Sequence, residues 1–424
     1  MVDGMTSRER VLAAFDHEEA DRVPIDFSGH YNSSVNVIAH NRLKEYLGIS
    51  SPTYVRHVMP MLAAADLDTN LEVLKMMGGD ILEFSSIMLT RWKNGVPDGP
   101  MGDTKEFKLK DGGTCHLPAR FLPIQNDNGD YQISHMGMPT FRMPRDGHYF
   151  DRFFNPLGSI KNLSQLEEAL EIMGQTSFFS PLGEKQLARL QTSAKQAREQ
   201  TDFFILGDLS NLSVWHGSLE IFGYENYFMF MGSDPELVHR WMDFSTSGLE
   251  LKLESFLKSV GPYIDGFIIG DDYGMQKSLQ ISVKMFRELV KPYLIRICDL
   301  IRRISPHVKI VQHSCGSIVP LIPDLIDTGI DALNPVQTTA NNMDAAMLKR
   351  EFGHHLTLWG GGVSSQTTLF SGSVDDVKKE VKKKMEIFKP GGGYIFSSDH
   401  DIQEHVSPEM IEAVFSSAQK FGLY

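Results

Sequence analysis

Two short stretches of this sequence hold side chains whose types and spacing suit chemistry. In QHSCG (312–316) an imidazole and a thiol stand two residues apart. On a strand, residues i and i+2 point to the same side, so His313 and Cys315 aim into one pocket. Imidazole with thiolate suits zinc, whose catalytic sites take three protein ligands and keep one position open. The third ligand must come from another strand end, with His400, Asp399, Glu83 and Asp272 as candidates. The alternative is a buried cysteine beside a hydrogen-bonded histidine. In GDDYGMQ (270–276) two adjacent carboxylates end an apolar run before a glycine turn. Adjacent strand residues point to opposite sides, so one of Asp271 and Asp272 faces the pocket while the other caps a turn or pairs with a neighbouring strand.

The elements that must position these groups are legible as eight β-rich runs: VPIDFS (23–28), DILEFS (80–85), FFILGDL (203–209), GFIIGDD (266–272), KIVQHSC (309–315), DALNPVQ (331–337), LTLWGGG (356–362) and GYIFSSD (393–399). Most are separated by stretches with the i, i+3, i+4 spacing of amphipathic helices, capped at Thr6, Ser282, Ser373 and Ser407. Eight such alternations predict a closed (β/α)8 TIM barrel spanning 1–424, and no GxGxxG follows the first strand to suggest a dinucleotide fold. Residues 100–160 break the rhythm and read as an inserted β-meander or lid after the second strand. Catalytic groups of such barrels belong at the carboxyl ends of the strands. There Asp271, Asp272 and Glu83 are candidates for catalysis, and His30, Asp208, Asn334, Gln337 and Trp359 for substrate binding. The glycines at 360–362 and 391–393 read as tight turns before they read as an anion cradle.

Composition narrows the partners. The 424 residues carry 41 basic and 54 acidic side chains, a formal charge of −13. The one lysine-rich run, 378–384, is interleaved with acids and reads as a solvated helix face, so no nucleic acid is expected. No segment reaches the roughly 18 apolar residues of a membrane span, and the charged start is unlike a signal peptide; a cytoplasmic protein is the expectation. Three scattered cysteines, Cys115, Cys298 and Cys315, agree with a reducing compartment.

Taken together, TSRERVLAAFDHEEADRVPIDFSG at the start, PYLIRICDLIR (292–302), QHSCGSIVPLIPDLIDTGIDALNPVQ (312–337) and GGYIFSSDHDIQEHVSPEMIEAV (392–414) resemble the uroporphyrinogen decarboxylase superfamily. That resemblance implies a (β/α)8 barrel and one of two branches, metal-free decarboxylases or zinc-dependent, corrinoid-linked methyltransferases. Decarboxylases carry an arginine-containing RQAGR-type stretch after the first strand and an aspartate in an FSDI-like stretch at the second. Here SGHYNSS (28–34) has no arginine and FSSI places Ser86 at the aspartate position. The HxCG motif of the methyltransferase branch is matched by His313, Cys315 and Gly316, and the position of its third ligand, usually a cysteine, is taken by His400.

The resemblance therefore implies Zn2+ on His313, Cys315 and His400, with Asp271 or Asp272 and Glu83 as supporting partner, proton donor or substrate anchor. It implies a small methyl donor or acceptor of the methyl ether, methylamine or thiol class. The corrinoid is expected on a separate protein, since no DxHxxG-type cobalamin motif occurs. A homodimer is the default. Two other readings are a carboxy-lyase acting on a tetrapyrrole or aromatic acid and a non-catalytic tetrapyrrole or corrinoid binder.

Overall fold

The computed structural model describes residues 4–424 apart from 68–70, 87, 95, 136–137, 177–179 and 210–211. Seven strands form one parallel sheet, β1 (Ile81–Ser85), β2 (Phe204–Asp208), β3 (Gly266–Gly270), β4 (Lys309–His313), β5 (Ala332–Asn334), β6 (Thr357–Trp359) and β7 (Tyr394–Ile395), each paired to the next in sequence order. The sheet curls until its two edges face the same segment. On one side the Asp26 amide donates to the Phe396 carbonyl over 2.8 Å and the Phe396 amide to the Pro24 carbonyl over 2.9 Å. On the other the Asp80 amide donates to the Ile25 carbonyl over 2.8 Å. The result is a TIM-barrel-like fold, as the alternation of runs predicts.

The eighth run, VPIDFS, is not a full strand; it contributes an isolated bridge between Ile25 and Phe396. Pro24 has no N–H for the ladder, and the Ile25 amide is taken by the Asp80 carboxylate at 2.8 Å. Several other runs stop short of their expected ends. Pro335 follows the end of β5, and Gly360 and Gly361, at φ +89° and +69°, turn the chain immediately after β6. Gln337, Asp399 and His400 consequently sit on loops beyond the strands.

Side chains from all seven strands fill the barrel, with Ile81, Leu206, Ile268, Val311, Ala332, Trp359 and Ile395 in one buried cluster. The helix Ser7–Phe15 plugs the amino-terminal end, its Phe15 ring 5.7 Å from Phe204 and edge-on to Trp359 at 6.4 Å. The four helix starts expected from sequence are formed: Thr6, Ser282, Ser373 and Ser407 each accept an amide from the first turn.

Between β1 and β2 the chain leaves the barrel at Thr90, ten residues before the expected boundary. It forms the hairpins Thr90–Lys93 with Val96–Pro100 and Thr104–Lys108 with Thr114–Pro118. A four-stranded antiparallel sheet follows, Ile124–Gln125, Tyr131–His135, Met138–Met143 and Asp151–Arg152. Phe107, Cys115, Leu117, Ile133 and Phe150 make a separate core there against Val37, Val55 and Met61.

One buried carboxylate ties the plug to the barrel. Asp80, fully buried, accepts from Arg10 at 2.6 Å, Arg22 at 2.7 Å, Ser7 at 2.8 Å and the Ile25 amide. Removing one partner of such a pair strands the others in a medium that cannot solvate them. Asp80→Ala is expected to cost about 3–5 kcal/mol, measured as a lower urea midpoint, whereas Asp98→Ala, on an exposed ion pair with Arg91, should cost less than about 1 kcal/mol.

Candidate metal centre

At the carboxyl ends of β3 and β4 three donor atoms come together. The parallel register sets Gly270 beside His313, so the turn after β3 lies against the chain after β4. An Asp272 carboxylate oxygen, a His313 ring nitrogen and the Cys315 sulfur all lie within 4.8 Å of one another. His313 Nε2 is 3.7 Å from Cys315 Sγ and 3.4 Å from Asp272 Oδ1, which also accepts the Cys315 amide at 2.7 Å. The other ring nitrogen, Nδ1, faces Asn334 Oδ1 at 3.0 Å. An amide oxygen only accepts, so Nδ1 carries a proton and Nε2 is the nitrogen turned toward the donor group. Gly316, at φ +86°, completes the turn; a Cβ there would stand 2.6 Å from the backbone of Gly274. Its amide donates to Gln337 Oε1 at 2.7 Å, pinning the loop.

Electrostatics favour the ligand forms of Cys315 and Asp272, while His313 is held protonated between them, so a metal binding here would displace its Nε2 proton. Burial and Asp272 push the Cys315 thiol up, but His313 and His400 outweigh them and the net shift is downward. Burial would lower His313, yet Cys315 and Asp272 raise it to about 10. Asp272 is driven well below the carboxylate range, its hydrogen bond to His313 and that residue's charge overcoming burial. A carboxylate, an imidazole and a thiolate with the imidazole pre-oriented from behind form a donor set that fits Zn2+, with room for one further ligand. Asn32 contributes a second observation: its Nδ2 reaches Cys315 Sγ at 3.8 Å while its buried Oδ1 has no partner among the described residues.

A second cluster lies at the end of β1. Glu83 Oε2 is 2.9 Å from His57 Nε2 and 3.6 Å from Arg56, and Arg56 also pairs with Asp66 at 2.7 Å. All four side chains are buried. Burial would raise Glu83, but His57 and Arg56 hold it below its ordinary value; burial would lower His57, but Glu83 raises it. The ring of Tyr31 bridges the clusters, 5.4 Å from His57 and 6.4 Å from His400.

Residues 218–421 match the family model described as Uroporphyrinogen decarboxylase (URO-D). The match covers a little under half of the chain, and the matched stretch is its URO-D segment. It contains Asp272, His313, Cys315, Asn334, Gln337, Trp359 and His400, and it excludes the insertion and the Glu83 cluster. Curated uroporphyrinogen decarboxylases are similar to it, that of Shewanella loihica at 24% identity over 200 residues (45% of this chain and 50% of that protein). That of Shewanella amazonensis is 26% identical over 200 residues, 44% of this chain and 53% of its own. The chain thus spans about half the length of the curated relatives it matches. Among solved structures, a methyltransferase from Methanosarcina mazei superposes with a TM-score of 0.59 at 18% identity, covering 98% of this chain and 99% of that one. At that identity the likeness is one of fold.

Within and around the URO-D segment the residues singled out from sequence fall into distinct places. Asp271 is turned away from the donors: it accepts from Ser213 Oγ and the amides of Val214, Trp215 and His216 at 2.7–2.9 Å. It therefore holds the loop after β2, the capping alternative of the sequence reading. Asp272, one of the alternatives for third ligand, stands with His313 and Cys315. His400 is beside the group, hydrogen-bonded to Cys315 and paired with Asp401, and is not among the three gathered donor atoms. Asn334 and Gln337, read as substrate contacts, orient His313 and the Gly316 turn. Trp359 is fully buried in the barrel interior, its Nε1 donating to Asp26 at 2.9 Å. Asp208 lies at the end of β2 next to Ser85, at 3.4 Å. His30 is near the centre, its ring 5.9 Å from that of His313, and burial with two neighbouring histidines holds it well below its ordinary value.

His57, Tyr31, Asn32 and Asp401 were not singled out. His57 lies on a three-residue strand, Val55–His57, outside the eight runs, and nothing in RHVMP marks it as facing a carboxylate 26 residues on. Tyr31 and Asn32 follow His30 directly, so the loop was marked but its members were not separated.

Two substitutions separate orienting from structural roles. Asn334→Ala, which frees the back of the His313 ring, is expected to weaken zinc about 10–100-fold in a chelator competition. Asp271→Ala should leave zinc stoichiometry intact and cost about 1–3 kcal/mol in urea unfolding.

Proposed function

We propose that the protein is a zinc-dependent methyltransferase that moves a methyl group between a small methyl donor and a corrinoid carried by a separate protein. The observation that carries this reading is the Asp272, His313 and Cys315 donor group with its imidazole fixed by Asn334. The shared fold with an archaeal methyltransferase agrees with it. Zinc bound here would supply a Lewis acid to the heteroatom of the substrate. The chain's own residues do the rest. Asn334 accepts the Nδ1 hydrogen bond and so turns His313 Nε2 toward the metal position, and Gln337 holds the Gly316 turn so that Cys315 stays in reach. His57, whose proton Glu83 holds to higher pH, is the proton donor: the heteroatom that gives up its methyl group keeps the electron pair of the broken bond and takes the proton. Glu83 itself is held ionised and acts through His57, a positioning role.

The curated relatives favour a second reading, a carboxy-lyase. Such a substrate needs cations for its carboxylates, and the arginines near the mouth are committed, Arg56 to Asp66 and Glu83, and Arg152 to Glu220 at 3.1 Å. The methyltransferase reading needs no such cation.

The test is zinc content together with methylation of reduced cobalamin, followed by absorbance, across methyl ethers, methylamines and methyl thioethers. Wild type should hold about one zinc and transfer from at least one class, and Cys315→Ala should lose both. Zinc-loaded protein that transfers from none would overturn the reading. A second measurement concerns pH. With a cationic donor, activity falls as pH rises through the His57 pKa, which Glu83 lifts above 6.5. Glu83→Gln removes the lift, so the descending limb should move to lower pH; an unmoved limb would exclude His57 as donor.

A further inference from the structure

The insertion and the barrel mouth enclose a cleft of about 560 Å³ that the metal chemistry alone does not require. Its inner end is formed by Tyr31, His57 and Gly270. Gly270 is the register partner of His313, and the Tyr31 ring stands 6.4 Å from that of His400, so the inner end of the cleft lies beside the donor group. Its outer wall comes from the insertion, where Phe121, Phe141, Tyr149 and Phe150 present four aromatic rings.

The wall is held in place on both sides. The Phe150 amide donates to the Met59 carbonyl at 2.6 Å, and Arg152 lies 4.7 Å over the Phe141 ring while pairing with Glu220 on the helix His216–Phe222. Asn155 Nδ2 adds a bond to the Glu220 carbonyl at 2.6 Å. Phe141 and Phe150 are thus held as a fixed part of that wall.

We propose that this cleft binds the ring of an aromatic methyl donor, a methoxyarene, with its methyl-bearing oxygen turned toward the donor group and the insertion setting the selectivity. The inference rests on the methyltransferase reading and names its substrate class. Three observations choose the occupant. The volume falls in the range of pockets that enclose drug-sized ligands, roughly 300–1,000 Å³, and a one-carbon donor such as methanol or methylamine would leave most of it to water. Aromatic walls reward a flat ring by offset and edge-on packing. Arg152 is neutralised by Glu220, so the outer wall offers no free cation for an anionic substrate, Asp151 being the remaining charge there. A corrin macrocycle is far wider than one benzene ring and would stay at the rim.

The test is calorimetric titration of zinc-loaded, full-length protein with 2-methoxyphenol and, separately, with methylamine, with metal content measured on the same samples. The expected result is binding of 2-methoxyphenol only, weakened about tenfold or more by Phe141→Ala and by Tyr149→Ala. Tyr149 is half exposed, so its removal leaves the fold intact even if Phe141→Ala does not. Zinc-loaded wild type that fails to bind 2-methoxyphenol, or binds it unchanged in both variants, overturns the cleft assignment while leaving the metal reading standing. Ring binding by a protein that takes up no zinc would retain the ring site and remove the methyltransferase reading instead.

Discussion

The mouth of this barrel depends on the register between β3 and β4. Parallel pairing of Gly270 with His313 delivers the Asp271–Asp272 turn to the side of the HxC segment. A slip of one residue would send Asp272 to the opposite face. Because adjacent residues diverge, that register gives the two aspartates separate work. Asp272 enters the donor group, and Asp271 gathers three amides and a hydroxyl from the loop after β2. The β3–β4 pairing therefore also fixes the start of the helix His216–Phe222, whose Glu220 anchors the insertion.

Buried charge is handled by the same principle at both ends of the barrel. At the plugged end Asp80 satisfies two arginines, a serine and a main-chain amide. At the mouth Glu83 is shared by His57 and Arg56, and Arg56 is further neutralised by Asp66. Each carboxylate is taken out of water only where cations and donors surround it, since an isolated one would lose several kcal/mol. The two clusters differ in consequence. Asp80 closes the barrel across the gap left by the proline-bearing segment Pro24–Asp26, whereas Glu83 leaves at the wall of a cleft an imidazole whose pKa it raises.

The URO-D segment and the remainder of the chain contribute different parts of the site. The matched residues supply the donor atoms and the groups that orient them. The unmatched amino-terminal half supplies the His30–Asn32 loop, the His57 cluster and the aromatic wall. The insertion has its own small core around Phe107, Leu117 and Ile133 and is fastened to the barrel through Met59, Ile221 and Glu220. Chemistry and enclosure are thus built from separate lengths of sequence.

The sequence by itself determined the alternation of runs and helices, hence the barrel, because hydrophobic periodicity and end caps are local signals. Thr6, Ser282, Ser373 and Ser407 stand where their first-turn amides need an acceptor. It also put His313 with Cys315 and parted Asp271 from Asp272 by the two-residue repeat of a strand, although β3 and β4 end at Gly270 and His313 and the sense of that repeat is carried on by the turns beyond them. Only the tertiary structure decided which aspartate turns inward, because that depends on the register with β4. It likewise assigned Asn334 and Gln337 to orienting the ligands, placed Trp359 in the interior and set His400 beside the donor group. Those outcomes depend on strands ending early at Pro335 and Gly360, and on contacts between residues far apart in the chain. His57 shows the limit most plainly: its partner Glu83 lies across a loop and a helix, and a histidine acquires its charge from what folding brings next to it.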